Sequence, residues 1–133
     1  MRLLSIPMLL TAAWLSMPGI ALAQQADEDA AVRKAYLRGH AIGDGARMRS
    51  AFLPSAHIEG IRDGKFLSWT ADAYIAGFKG QPPADEARRK RWIDSIDVSG
   101  NATMASATLD YPSGTFTDCF VLRNVDGQWK IAN

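Results

Sequence analysis

Residues 115–133 read TFTDCFVLRNVDGQWKIAN, two runs of alternating apolar and polar residues that meet at Asp126-Gly127. Asp-Gly between two such runs is a strong signal for a two-residue β-hairpin turn. Side chains alternate along a strand, so one face of the first run carries Phe116, Asp118, Phe120 and Leu122. The pattern predicts an antiparallel hairpin that turns an apolar face inward, with Trp129 and Ile131 on its second strand. It also places one acid, Asp118, among apolar neighbours.

The preceding residues predict three helices and further strands. Apolar positions at helical spacing predict a first helix from residue 30 to about Gly43. A second helix follows an N-cap at Asp44, and a third follows an N-cap at Thr70 and ends by Gly80. The strands are a hairpin that turns at Asp63-Gly64, a strand from about Arg88 to Val98, and a strand from Ala102 to Tyr111. This order predicts an α+β domain whose curved, mostly antiparallel sheet wraps around the three helices.

The N-terminus predicts export from the cytoplasm. Arg2 precedes an apolar stretch, and Ala21-Leu22-Ala23 forms an A-x-A cleavage site, which together are typical of a secretory signal peptide. We predict a signal peptide over residues 1–23, a polar lead over residues 24–29 and one domain over residues 30–133, secreted or periplasmic. An uncleaved membrane anchor is the alternative, but Pro7 and Pro18 interrupt the apolar stretch, so we expect no stable membrane insertion after signal removal.

The charge balance argues against a polyanionic partner. The chain has 15 Lys+Arg and 14 Asp+Glu, and Arg2 is the one charged residue of the predicted signal peptide, so the rest of the chain is formally neutral. We therefore expect no nucleic-acid partner. The basic run Arg88-Arg89-Lys90-Arg91 is interpreted as a solvated strand face that discourages edge pairing. A specific anionic partner for this run is the less favoured alternative.

Few residues suit a metal ion or a cofactor. The two histidines, His40 and His57, have no histidine, cysteine or acid at a ligand spacing, and no phosphate-binding loop is present. We expect neither a metal nor a cofactor. Cys119 is the only cysteine, so an internal disulfide is excluded, and we predict a small buried thiol on the strand face opposite Asp118.

The order of these elements resembles the nuclear transport factor 2-like superfamily, also described as cystatin-like or SnoaL-like. Within it, the chain resembles the family labelled putative lumazine-binding. The resemblance rests on GDGARMRSAFLP at residues 43–54, the Asp63-Gly64 turn with Thr70, SIDV at 95–98, the strand 102–109, FTD at 116–118 and DGQWKI at 126–131. It implies a cone with a pocket between the helices and the concave sheet, and often a homodimer through the outer face of the sheet. Small side chains in TMASAT, residues 103–108, agree with close approach of a partner.

Asp118 is the main candidate site residue. As a structural group it would accept hydrogen bonds from a hydroxyl, an arginine or the backbone, and this interpretation is favoured. As a functional group, its burial would raise its pKa and suit it to act as a general acid or base. The other candidate ligand-binding residues are Tyr36, His57, Tyr74, Phe78 and Trp92. For the four aromatic residues core filling is favoured over ligand contact, and for His57 a structural role is favoured.

Two functions remain open. The favoured one is an exported, non-enzymatic module that binds a small, largely apolar or aromatic molecule, or a partner protein, in the cone. The alternative is a small isomerase, cyclase or hydratase of the ketosteroid-isomerase or polyketide-cyclase kind, with Asp118 as general base and Tyr36 or His57 as proton partner. Geometry separates them. An Asp118 at an open pocket within reach of Tyr36 or His57 favours the enzyme, and an Asp118 sealed against backbone donors disfavours it.

The export hypothesis gives the first prediction. N-terminal sequencing of the protein from its own host should begin at Gln24, because cleavage follows the small residue Ala23. Membrane-bound material that retains Met1 would contradict it.

Overall fold

A computed structural model describes residues 30–133, so the predicted signal peptide and polar lead lie outside the described residues. The first helix, α1, has π-helical hydrogen bonding over Ala30–Leu37 and α-helical hydrogen bonding over Arg38–Ile42. Helices α2 and α3 span Gly45–Ala51 and Ala71–Ile75, and a single 3-10 turn spans Glu86–Arg88. The strands are β1 His57–Arg62, β2 Lys65–Thr70, β3 Lys90–Ser99, β4 Ala102–Tyr111, β5 Gly114–Val125 and β6 Gln128–Ile131.

The helices begin at the predicted caps. The Asp44 side chain accepts a hydrogen bond from the Arg47 amide at 3.1 Å, and the Thr70 hydroxyl accepts one from the Ala73 amide at 3.2 Å. Each satisfies an amide that has no partner within its own helix. Helix α3 ends at Ile75, earlier than predicted. Gly77 follows at once, and its low helix propensity favours the tight turn that replaces the last predicted residues.

Two hairpins and a meander form the sheets. Asp63 and Gly64 have φ values of 52° and 71°, and Asp126 and Gly127 have 53° and 79°. Positive φ at both central residues is the geometry of a type I′ turn, as the Asp-Gly pairs predicted. Strands β1 and β2 form a two-stranded antiparallel sheet, and β3, β4, β5 and β6 pair in that order in a second antiparallel sheet.

A bulge bends strand β3. Ile93 pairs with Ala107 and Ser95 pairs with Ser106, so Asp94 is an extra residue without a partner in the ladder. A bulge increases the local twist and bends its strand. It also lets Ile93 and Ile96, an odd number of residues apart, both pack against the core. The bend contributes to the concave face on which the helices lie.

The core lies between the helices and this concave face. Phe120, Leu122, Trp129 and Ile131 are buried in it, as predicted. The end of α2 is tied to the last strand, because Phe52 forms a parallel bridge with Ile131 and the Leu53 amide donates to the Ile131 carbonyl at 2.9 Å. Within residues 30–133, no helix is long and apolar enough to cross a membrane.

The prediction of a buried Cys119 was wrong, because its thiol is exposed. Cys119 is on the outer face of β5, and within the described residues the helices cover the opposite face, which carries Phe120 and Leu122. The outer face of β4 is likewise open, with Met104 67% exposed.

Gly43 gives a prediction for stability. It ends α1 with a φ of 67°, and a Cβ there would overlap the carbonyl oxygen of Gln81. Gly64 has a similar φ of 71° but open space around it. Gly64→Ala should therefore cost about 1–2 kcal/mol from backbone strain alone. Gly43→Ala should cost about 1–3 kcal/mol more, because the clash is with backbone. Denaturant unfolding measures both variants, and equal losses would contradict the prediction.

Candidate functional site

A cavity of about 590 Å³ opens between the helices and the concave face of the sheet. This volume is within the range of small-molecule sites, which is roughly 300–1,000 Å³. About half of its wall is aromatic or aliphatic, and this half includes Tyr36, Phe52, Ile58, Leu67, Trp69, Tyr74, Leu109, Tyr111, Phe116, Phe120 and Ile131. Besides the tyrosines, its charged or titratable members are His40, Glu59, Arg62, Arg89, Asp118 and Cys119.

A hydrogen bond between a helix and the sheet lies in this wall. Tyr36 is on the buried side of α1, where its ring packs edge-on against Phe120 and Phe52, with centroids 4.8 and 5.9 Å away. Asp118 precedes Phe120 by two residues and therefore shares its strand face. The Tyr36 Oη donates to Asp118 Oδ2 at 2.7 Å. Among the described residues, no other group donates to the Asp118 carboxyl.

Two more polar side chains, Tyr74 and His40, extend this contact beyond Tyr36. Its Oη lies 3.5 Å from the Tyr74 Oη, which is 3.0 Å from His40 Nε2. His40 is one helical turn after Tyr36, and Tyr74 is on α3, so helix packing brings them together. We call Asp118, Tyr36, Tyr74 and His40 the polar row. When Asp118 is ionised, the only proton of Tyr36 points to it, so the Tyr36 oxygen can only accept from Tyr74.

Burial sets the protonation of the polar row. It raises the pKa of Asp118 above its ordinary value, although the hydrogen bond from Tyr36 opposes this. It raises the pKa of Tyr74 to about 12, and raises the pKa of Tyr36 well above its ordinary value. Burial also lowers the pKa of His40 to about 3, with a smaller contribution from the Arg91 and Arg89 charges. At neutral pH the two phenols and the imidazole are therefore uncharged.

The structure brings together three of the predicted site residues. Tyr36, Tyr74 and Asp118 all line the 590 Å³ cavity. Phe78 packs against His40 and Tyr74, with centroids 5.2 and 5.8 Å away, but it lines a second cavity, of about 330 Å³, instead.

Two candidates besides Phe78 do not line the 590 Å³ cavity. His57 is exposed on the outer face of the β1–β2 hairpin, and its Nδ1 lies 3.1 Å from the Ser55 carbonyl oxygen. Trp92 is 43% exposed on the outer face of β3, where its Nε1 donates to Asp94 at 2.8 Å. The reason is the same for both, because strand alternation places these side chains on the face opposite the one that lines the cavity.

Sequence reasoning missed His40 as a member of the site. Its position four residues after Tyr36 puts both side chains on the same face of α1, and this spacing was the available signal. It also missed Arg89, which lines the cavity from the residue just before β3. Within the described residues, no three of the histidine, cysteine, aspartate and glutamate side chains form a group that could hold a metal ion.

Comparison with known proteins places the chain. The model of a family described as putative lumazine-binding matches residues 25–133. The chain belongs to this family. A search of curated proteins finds no match.

Solved structures agree on the fold. A nuclear transport factor 2-like protein of unknown function from Silicibacter pomeroyi DSS-3 superposes with a TM-score of 0.72 at 22% identity, over 84% of this chain and 92% of that one. A second nuclear transport factor 2-like protein of unknown function, from Shewanella baltica OS155, superposes with a TM-score of 0.70 at 29% identity, over 83% of this chain and 90% of that one. A third, from Methylobacillus flagellatus KT, superposes with a TM-score of 0.69 at 26% identity, over 83% of this chain and 88% of that one. The predicted nuclear transport factor 2-like cone is confirmed.

The raised pKa of Asp118 gives a prediction with a definite sign. The folded state holds this proton more tightly than the unfolded chain, so wild-type stability falls as pH rises from the ordinary value of 3.8 through the raised folded value. Asp118→Asn removes the charge and keeps an acceptor for Tyr36. We expect the variant to gain stability relative to wild type between about pH 4 and about pH 8, and to be at least as stable at the higher pH.

Denaturant unfolding at the two pH values measures this difference. Asp97→Asn is the matched control, because Asp97 is an exposed aspartate on β3. A loss of roughly 1–3 kcal/mol in Asp118→Asn that does not depend on pH would show that Asp118 is a structural acceptor instead.

Proposed function

We propose that this member of the putative lumazine-binding family binds a small, flat, largely apolar or aromatic molecule in the 590 Å³ cavity. The observation that carries the proposal is a ligand-sized cavity with aromatic rings in its wall, in which the half-buried Asp118 carboxyl has one oxygen without a donor among the described residues. Aromatic rings offer large contact areas to a flat molecule. Polar groups placed within an aromatic and aliphatic wall fix the orientation of a ligand in small-molecule sites.

Asp118 supplies the polar recognition in this proposal. Tyr36 occupies Oδ2, and Oδ1 has no donor among the described residues. An ionised carboxyl accepts several hydrogen bonds, so an N–H or O–H group of the ligand can bind there. A lumazine-like ring, which is flat and carries N–H groups, satisfies this description, and so do other heteroaromatic compounds. A concave site of this size suits such a molecule better than a partner protein.

A second candidate function is catalysis by an isomerase, cyclase or hydratase. It is favoured by one specific observation, since Asp118 lies at an open cavity with Tyr36 at 2.7 Å. In this mechanism Asp118 takes a proton from carbon or water, and a phenol of the polar row donates to the oxygen on which charge develops. His57 has no part in it. The Asp118→Asn measurement bears on this candidate too, because a stability gain at high pH is typical of a strained functional acid.

We also propose that the protein acts outside the cytoplasm as a homodimer. The exposed outer face of β4, with Met104 and the small side chains around it, supports a dimer surface of this kind. Light scattering of the purified protein tests the assembly, and a monomer at high concentration would exclude it.

The binding proposal predicts that a molecule accompanies the protein purified from its own host. Ile58 is partly buried and lines the cavity, so Ile58→Trp fills space that the ligand needs. Native mass spectrometry should show the bound molecule in wild type and about tenfold less or lower in Ile58→Trp. Val125→Trp is the control, because Val125 is 43% exposed and does not line the cavity. Equal occupancy in both variants would contradict the proposal.

A further inference from the structure

Two arginines of the basic run 88–91 are ordered on one aromatic ring at the cavity. The Arg89 and Arg91 Cζ atoms lie 4.3 and 4.8 Å from the centroid of Tyr111. Arg91 Nε also donates to the Tyr111 Oη at 2.8 Å. Cation–π contacts of this kind hold a guanidinium in one orientation. The run is therefore not simply a solvated strand face.

Acids of the preceding turn anchor the same two side chains differently. Glu86 accepts both terminal nitrogens of Arg91, at 2.6 and 2.8 Å, and the Arg91 side chain is only 7% exposed. Asp85 accepts from Arg89 through Nε alone, at 2.7 Å. Among the described residues, nothing accepts from the two terminal nitrogens of Arg89. Both arginines are thus ion-paired, but Arg91 uses its terminal nitrogens on Glu86, whereas those of Arg89 remain available as donors.

A second cation lines the cavity from the β1–β2 hairpin. Arg62 follows Ile58 by four residues on the same strand, so the two side chains share one strand face. Ile58 and its cross-strand partner Trp69 both line the cavity, and Arg62 lines it from the same face. It has no ion pair among the described residues. Glu59 also lines the cavity from this hairpin, on the alternate, exposed strand face, so the hairpin contributes one acid as well as Arg62.

The positive charge of these arginines affects the pKa values of two residues in the polar row. Arg89 and Arg91 lower the pKa of His40 further than burial alone. Arg62 opposes the larger effect of burial on the pKa of Tyr74. The charge of Asp118 acts on Tyr74 more strongly than that of Arg62 does, so within the polar row it is His40 that lies on the positive side of the cavity.

We propose that the ligand of this cavity is an organic anion, with a flat apolar body and a carboxylate or similar acid group that Arg89 and Arg62 bind. This rests on the proposed binding function and adds the chemical class of the ligand. The guanidinium fork of Arg89 presents paired donors of the kind that match a carboxylate. The charge of Asp118 repels an anion, so the acid group points to the arginines and a donor group points to Asp118. The molecule is bound in one orientation.

Two fluorescent probes test this without knowledge of the natural ligand. 1-Anilinonaphthalene-8-sulfonate and N-phenyl-1-naphthylamine share one aromatic body, and only the first carries an acid group, which stands in for the carboxylate. Wild type should bind the sulfonate about 5- to 10-fold more tightly, and about 0.5 M salt should reduce this preference. Arg89→Gln and Arg62→Gln should each lower the preference to about 2-fold. Arg62→Lys should keep most of it.

Two controls keep the outcome interpretable. Arg88→Gln removes an adjacent, exposed charge that does not line the cavity, and it should leave the preference unchanged. Asp85→Asn removes the anchor of Arg89 but keeps its charge, so it should keep a preference that Arg89→Gln loses. This separates the charge from the ion pair.

The possible failures are distinguishable. If neither probe binds wild type, or if Ile58→Trp binds both as well as wild type does, the proposed cavity function fails and the inference fails with it. If both probes bind in the cavity with equal affinity, or if the arginine variants keep the sulfonate preference, the anionic ligand is excluded while the cavity function stands.

Discussion

The hydrogen bond from Tyr36 to Asp118 joins the first helix to the concave sheet at the point where an apolar core becomes a cavity. A carboxyl among Phe120 and its neighbours has lost water contacts, and the phenol is its one donor in the described part of the chain. A hydrogen bond to a charged group contributes about 1.5–3 kcal/mol. Neither partner can move without leaving a desolvated polar group behind, so the bond fixes the position of the helix against the strand.

The other features of the site depend on that position. With Tyr36 in place, the next turn of α1 puts His40 beside Tyr74, and the aromatic rings around them leave a space that helices and sheet do not fill. The bulge at Asp94 adds to the curvature of the sheet against which the helices pack. Charged groups lie on different sides of this cavity. The Asp118 carboxyl is at one side, and Arg62 and Arg89 line the cavity from the β1–β2 hairpin and from the start of β3. The cavity is therefore electrically asymmetric although the chain as a whole is almost neutral.

Local signals in the sequence predicted the fold well. The Asp-Gly turns and the caps at Asp44 and Thr70 act through neighbouring backbone groups, so a few residues contain all the information. It was harder to predict which face of a strand is turned inward, as Trp92 and His57 demonstrate. A strand with apolar residues of both parities does not reveal which face is inward, and in β3 the bulge at Asp94 changes the parity midway. The site was predicted only in part for a further reason. His40 and Arg89 meet the cavity through contacts between elements far apart in the chain, which no local pattern contains.

The strand order has a consequence for how the molecule reaches this structure. Strands β3 to β6 pair in chain order, so each pairing closes a short loop and costs little conformational entropy. The bridge between Phe52 and Ile131 joins residues far apart in the chain, so it closes a long loop. Sheets with local pairings form early, and contacts of large sequence separation form late. The meander can thus form before the helices dock, and the cavity exists only once that last, entropically expensive contact has closed.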